Sequence, residues 1–123
     1  RLFRDAKAGG DRGRPDGLTV DTAGGVWTAR WDGGCVMRFT PDGELDCVFE
    51  VPEARNVSSL LFAPRWDAAN GTWSEAFVDL YVTTASRGDR ESCGARGGAL
   101  FRMRFDGDPY RGLPEFRSRV GMR

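Results

Sequence analysis

Two stretches, Arg14-Pro15-Asp16-Gly17-Leu18-Thr19-Val20-Asp21 and Gly25-Val26-Trp27-Thr28-Ala29-Arg30, read together as a turn, a short apolar strand, a tight turn and a second strand. The same unit recurs downstream as Ser58-Ser59-Leu60-Leu61-Phe62 and Asp79-Leu80-Tyr81-Val82-Thr83-Thr84. Each second strand is followed by a Gly-Gly pair and a third strand, Cys35 to Phe39 after Gly33-Gly34 and Ala99 to Phe105 after Gly97-Gly98. A repeat built from short strands cannot bury its apolar face alone and stacks on its neighbours, which is the sequence form of a β-propeller blade. A chain of 123 residues has room for about two to three such blades.

The first unit is the more regular. Cys35, Met37 and Phe39 alternate with Val36, Arg38 and Thr40, the period of a half-buried strand. Pro41-Asp42-Gly43 is a hairpin turn, and Leu45 to Val51 returns as a fourth strand. Leu2-Phe3 reads as the last strand of a preceding element. In the second unit the stretch Ala63 to Val78 reads as irregular, too long for a hairpin loop and placed to cap an end of the sheet. A polar loop covers Ser86 to Arg96, Pro109 to Pro114 turns, and Glu115 to Arg119 is a candidate final strand. No helix pattern of useful length and no domain boundary is visible. The expected class is all-β, with residues 1–123 forming one domain.

Charge and composition exclude several functions. Acidic and basic residues number 18 each, which argues against a nucleic-acid partner. Lys7 is the single lysine, and histidine is absent, so no His base, His–metal site or Ser-His-Asp triad exists within the chain. Three widely spaced cysteines, Cys35, Cys47 and Cys93, contain no CxxC and suggest neither a zinc knuckle nor a disulfide framework. That favours a reducing compartment, and the cytoplasm is the expected location. Sequons at Asn56 and Asn70 matter only in a secreted protein. No apolar run approaches membrane-spanning length, so no membrane association is expected. A start at Arg1 suggests a processed or partial product.

Taken in order, these signatures, together with Arg111-Gly112-Leu113-Pro114-Glu115-Phe116, resemble the senescence-marker-protein/gluconolactonase/luciferin-regenerating-enzyme (regucalcin-like) family. The resemblance covers nearly the whole chain and corresponds to the C-terminal part of a six-bladed propeller. It implies a partial propeller of four-stranded antiparallel blades and a metal-dependent lactonase acting on sugar or related lactones. In that family one divalent metal (Ca, Zn, Mn or Mg) polarises the lactone carbonyl and activates a water. It sits between a Glu, an Asn and the Asp of the Pro-Asp-Gly signature. Only the last maps onto this sequence, as Asp16, which would hold the metal and help relay a proton; the Glu and Asn would lie upstream of Arg1. The chain alone is therefore expected to be inactive. A non-catalytic binding propeller and a truncated, non-functional product remain open as alternatives, with self-association through exposed blade edges.

Each candidate has a plainer reading. Pro15-Asp16-Gly17 fits ordinary turn chemistry, and Pro41-Asp42-Gly43 is the same tripeptide with no functional claim. Asp5, Asp11 and Asp16 do not have calcium-loop spacing. Ser58 and Ser59 open an inner strand and would border the channel, but lack a base. Arg30 and Arg87 follow second strands and would face either a substrate or solvent. Trp27, Trp31, Trp66 and Trp73 are expected in blade-to-blade packing, and the cysteines as buried apolar groups.

Overall fold

The computed structural model describes residues 1–86 and 88–114. Four strands, β1 (Arg14–Val20), β2 (Val26–Trp31), β3 (Cys35–Phe39) and β4 (Leu45–Glu50), form one antiparallel sheet in that order. A second sheet follows in the order β5 (Asn56–Asp67), β6 (Thr72–Ala85) and β7 (Leu100–Met103). Turn chemistry sets the first sheet. Gly24 (φ 81°) donates to the Asp21 carbonyl at 3.0 Å between β1 and β2, and Gly43 (φ 92°) donates to the Thr40 carbonyl at 3.0 Å between β3 and β4.

The two sheets pack face to face as neighbouring blades, with β5 lying against β1 and β2. Trp27, Ala29 and Val36 of the first meet Val57, Leu60, Phe62, Leu80 and Val82 of the second in one buried cluster. Trp27 is its centre. Its ring stacks on Phe49 at 5.3 Å and meets the edges of Phe62 at 5.3 Å and Tyr110 at 4.8 Å.

Several segments differ from the sequence expectation. Leu2-Phe3 is not a strand. With no ladder partner among the described residues, the segment folds across the first sheet, where Arg4 bonds the Gly43 carbonyl at 3.2 Å and lies 5.2 Å over the Phe39 ring. Ala63 to Val78 is not an irregular cap. It completes β5 and β6 as one long hairpin, with Trp66 opposite Trp73 and the rings 5.1 Å apart. Asp67 accepts from the Ala69 amide at 3.0 Å, and Gly71 (φ 64°) closes the turn. Pro64 sits at a bulge, where a missing N–H costs no ladder bond. Trp66 and Trp73 are consequently exposed and do not pack between blades.

The polar loop holds one helical turn, α1 (Arg90–Cys93), capped by Asp89. Pro109 to Pro114 runs as a tail whose Gly112 bridges Asp21 and Phe77, tying the sheets together. The candidate strand Glu115–Arg119 and the candidate Arg87 lie outside the described residues.

Candidate functional site

Pro15-Asp16-Gly17 is not a turn; it lies inside β1. Pro15 pairs with Arg30 and Leu18 with Thr28, so Asp16 and Gly17 together oppose Ala29 alone. This is a β-bulge, which re-aims a side chain and occurs often beside active sites. Pro41-Asp42-Gly43, by contrast, is the hairpin turn expected of it. The same tripeptide therefore has two structural roles in one chain. Gly17 serves close approach, not positive φ: a Cβ there would stand 2.7 Å from the Ser59 Cα and 2.9 Å from the Ser58 carbonyl oxygen.

A second bulge mirrors the first. Val57 pairs with Thr84 and Ser59 with Thr83, leaving Ser58 as the extra residue near the start of β5. Its hydroxyl lies 2.9 Å from the Thr83 hydroxyl. The structure thus brings Asp16, Ser58 and Ser59 together where β1 packs against β5.

Asp16 is exposed and makes no side-chain hydrogen bond or ion pair among the described residues. The two acidic residues that precede it in the sequence are committed. Asp5 accepts from the Lys7 and Ala8 amides, and Asp11 pairs with Arg4 at 2.7 Å. Arg30 is buried rather than facing a substrate or solvent. Its guanidinium donates to the carbonyls of Arg12 at 2.8 Å and Gly13 at 3.2 Å, pinning the N-terminal segment to β2.

The cysteines divide. Cys35 and Cys93 are buried, and burial pushes the Cys35 thiol up, away from nucleophilic character. Cys47 is only half-buried, with its sulfur 3.5 Å from the Tyr110 hydroxyl, which that contact and burial push up to about 12. Among the described residues no group of three or more Cys, Asp or Glu side chains is placed to hold a metal.

Two buried carboxylates escaped the sequence reading. Asp79 receives Arg65 at 2.7 Å and Arg104 at 3.2 Å. Asp21 accepts from the Gly25 amide, the Trp27 indole and Arg38, each at 2.8 Å. The signal for Asp21 was its place before Gly24-Gly25-Val26-Trp27, which allows an Asx-type turn with an indole donor above it. Burial by itself would raise the Asp21 pKa, but the bonds from Arg38, Trp27 and Gly25 outweigh it and hold the carboxyl below its ordinary 3.8.

A lowered folded-state pKa means that this stability is complete above the unfolded value and lost as pH falls through the folded one. The Asp21 contribution to thermal stability is therefore expected to fade as pH falls below the ordinary carboxylate value of 3.8. Asp21→Asn should be less stable at neutral pH and lose less over that range. Equal slopes for the two proteins would show that Asp21 is not the group responsible.

The sequence profile of the SMP-30/Gluconolactonase/LRE-like region matches residues 1–86. The chain belongs to this family. It is 41% identical over 116 residues to the pentonolactonase XacC of Haloferax volcanii, covering 88% of this chain and 35% of that one. It is 35% identical over 78 residues to the 6-deoxy-6-sulfogluconolactonase of Pseudomonas putida, covering 63% of this chain and 23% of the enzyme. Zebrafish (Danio rerio) regucalcin is 30% identical over 108 residues, covering 86% of this chain and 33% of its own.

The chain therefore spans about a third of the length of these relatives, or less. Among solved structures it superposes on luciferin-regenerating enzyme with TM-score 0.69 at 22% identity, covering 92% of this chain and 34% of that one. The calcium-binding protein regucalcin of Agrobacterium tumefaciens gives TM-score 0.60 at 23% identity, covering 94% and 34%. The two sheets are β-propeller blades. Among the described residues no helix is long and apolar enough to cross a membrane.

Proposed function

We propose that this chain is the C-terminal third of a metal-dependent lactone hydrolase and that Asp16 is its contribution to the metal site. The observation that carries the reading is the 41% identity, over most of the chain, to an enzyme named for pentonolactone hydrolysis. The bulge that exposes Asp16 supports the assignment, because it holds out a carboxylate that no neighbour among the described residues neutralises. The substrate is a small sugar lactone, and the cation is one of Ca²⁺, Zn²⁺, Mn²⁺ or Mg²⁺. Three free cysteines, two of them buried, suit a reducing cytoplasm.

One exposed carboxylate does not fit the cation by itself. A hard divalent ion takes several oxygen ligands, and the described residues gather no such set. No hydrolytic step is assigned to Asp16 alone, and the isolated chain is expected to be catalytically silent. The test is base uptake in a pH-stat with gluconolactone or pentonolactone, purified chain and added Ca²⁺, Zn²⁺ or Mn²⁺. The expected rate equals the buffer background. Metal-dependent turnover above it would show that this third carries a working site.

A further inference from the structure

The sequence has two side-chain amides, Asn56 and Asn70, and no glutamine. The fold treats the two oppositely. Asn56 opens β5, is 4% exposed, and donates its Nδ2 to the Cys93 sulfur at 3.2 Å. Asn70 is exposed in the turn that joins β5 to β6, and Gly71 follows it. A backbone nitrogen can attack the side-chain carbonyl of the residue before it when its own residue has no side chain in the way. Gly71 has none, and the space around it is open: a Cβ there would meet no atom within 4 Å. Asn56 is followed instead by Val57, which is buried and β-branched.

We propose that Asn70 is the site at which this protein deamidates, and that Asp67 sets the rate. The Gly71 nitrogen loses its proton to solvent base and bonds to the Asn70 Cγ. The Cγ–Nδ2 bond breaks, and the amide nitrogen leaves as ammonia. Water then opens either carbonyl of the resulting cyclic imide, giving aspartate or isoaspartate. The net exchange is water in and ammonia out, with no oxidation or reduction.

Asp67 holds both reacting groups. Its carboxylate accepts from the Asn70 Nδ2, the leaving group, and from the Ala69 amide at 3.0 Å. Its backbone carbonyl accepts from the Gly71 N–H, the attacking nitrogen, at 2.8 Å. Ring closure has to break the bonds to Asn70 and Gly71. The product cannot rebuild the turn. It sets a second carboxylate beside Asp67 where a donor had been, and like charges disfavour each other. Isoaspartate also lengthens the backbone between Asp67 and Thr72, which pair across the turn next to Trp66 and Trp73. The inference rests on this turn alone and is separate from the lactonase reading.

The test is intact mass and peptide mapping of the purified chain during incubation at mildly alkaline pH. Folded wild type should gain the mass of one amide-to-acid conversion, mapped to residue 70 as a mixture of aspartate and isoaspartate. Asn70→Ser should gain none. Asp67→Ala should convert about three- to tenfold faster, the rate equivalent of one hydrogen bond lost before ring closure. Wild type unfolded in guanidinium loses the same restraints without any substitution, and should also speed up. An unchanged mass in folded wild type, or conversion at Asn56 first, would overturn the site. Equal rates for folded and unfolded wild type, or for wild type and a folded Asp67→Ala, would overturn the role of Asp67.

Discussion

Trp27→Ala is expected to cost about 3–5 kcal/mol, the range for removing a large buried aromatic. Small domains have only about 5–15 kcal/mol in total, so the variant should be largely unfolded in mild urea. The reason is position. The ring touches Phe49, Phe62, Phe105 and Tyr110, which come from both sheets and the tail, so one deletion loosens the whole shared core. The indole N–H also donates to buried Asp21 at 2.8 Å. Trp27→Phe keeps most of the ring contacts and loses that donor. It should cost about 1–3 kcal/mol, the cost of leaving a buried polar group one bond short. Urea midpoints followed by circular dichroism give the order wild type, Trp27→Phe, Trp27→Ala. A midpoint for Trp27→Ala equal to the wild type would mean that the sheets do not depend on this core.

The second large effect concerns Asp16. Replacing the matching 116-residue stretch of the Haloferax volcanii pentonolactonase with this sequence should give an active chimera, given 41% identity. Asp16→Asn in that chimera is expected to lower kcat/KM by at least about 100-fold. Groups that merely support a metal ligand are worth about 10–100-fold, so a ligand itself should cost more. Asp42→Asn, in the same tripeptide at a hairpin turn, should leave the rate within about twofold, as surface substitutions generally do. An active chimera indifferent to Asp16→Asn would remove Asp16 from the site. An inactive chimera that binds no metal would remove this third of the chain from the lactonase reading.

Much of the first sheet was legible because its signals are local. Alternation in Cys35 to Thr40 and the turns at Asp32-Gly33-Gly34 and Pro41-Asp42-Gly43 fix strands and connections within a few residues. The hairpin from Ala63 to Val78 was not legible. Pro64 interrupts the pattern, and what continues the strands is a pairing of Trp66 with Trp73 across a turn. Arg30 misled for a similar reason. Its sequence position after a strand suggests exposure, but its partners, the carbonyls of Arg12 and Gly13, reach it only when the N-terminal segment folds back over β2.

The sequence by itself determined the class of fold, the repeat that builds it and the family. Those depend on period-two patterning, turn residues and an ordered series of short signatures, all of which survive in one dimension. Only the tertiary structure decided which carboxylates are held by partners. Asp21 and Asp79 look like turn and strand residues in the sequence, yet each is buried and held from elsewhere in its sheet, Asp21 by Arg38 and Asp79 by Arg65 and Arg104. Asp16 and Asp42 look alike, yet one stands at a bulge in β1 and the other at the β3–β4 turn. A side chain's partners are set by sheet packing over long sequence separations, and burial strengthens or cancels a charge only once that packing exists.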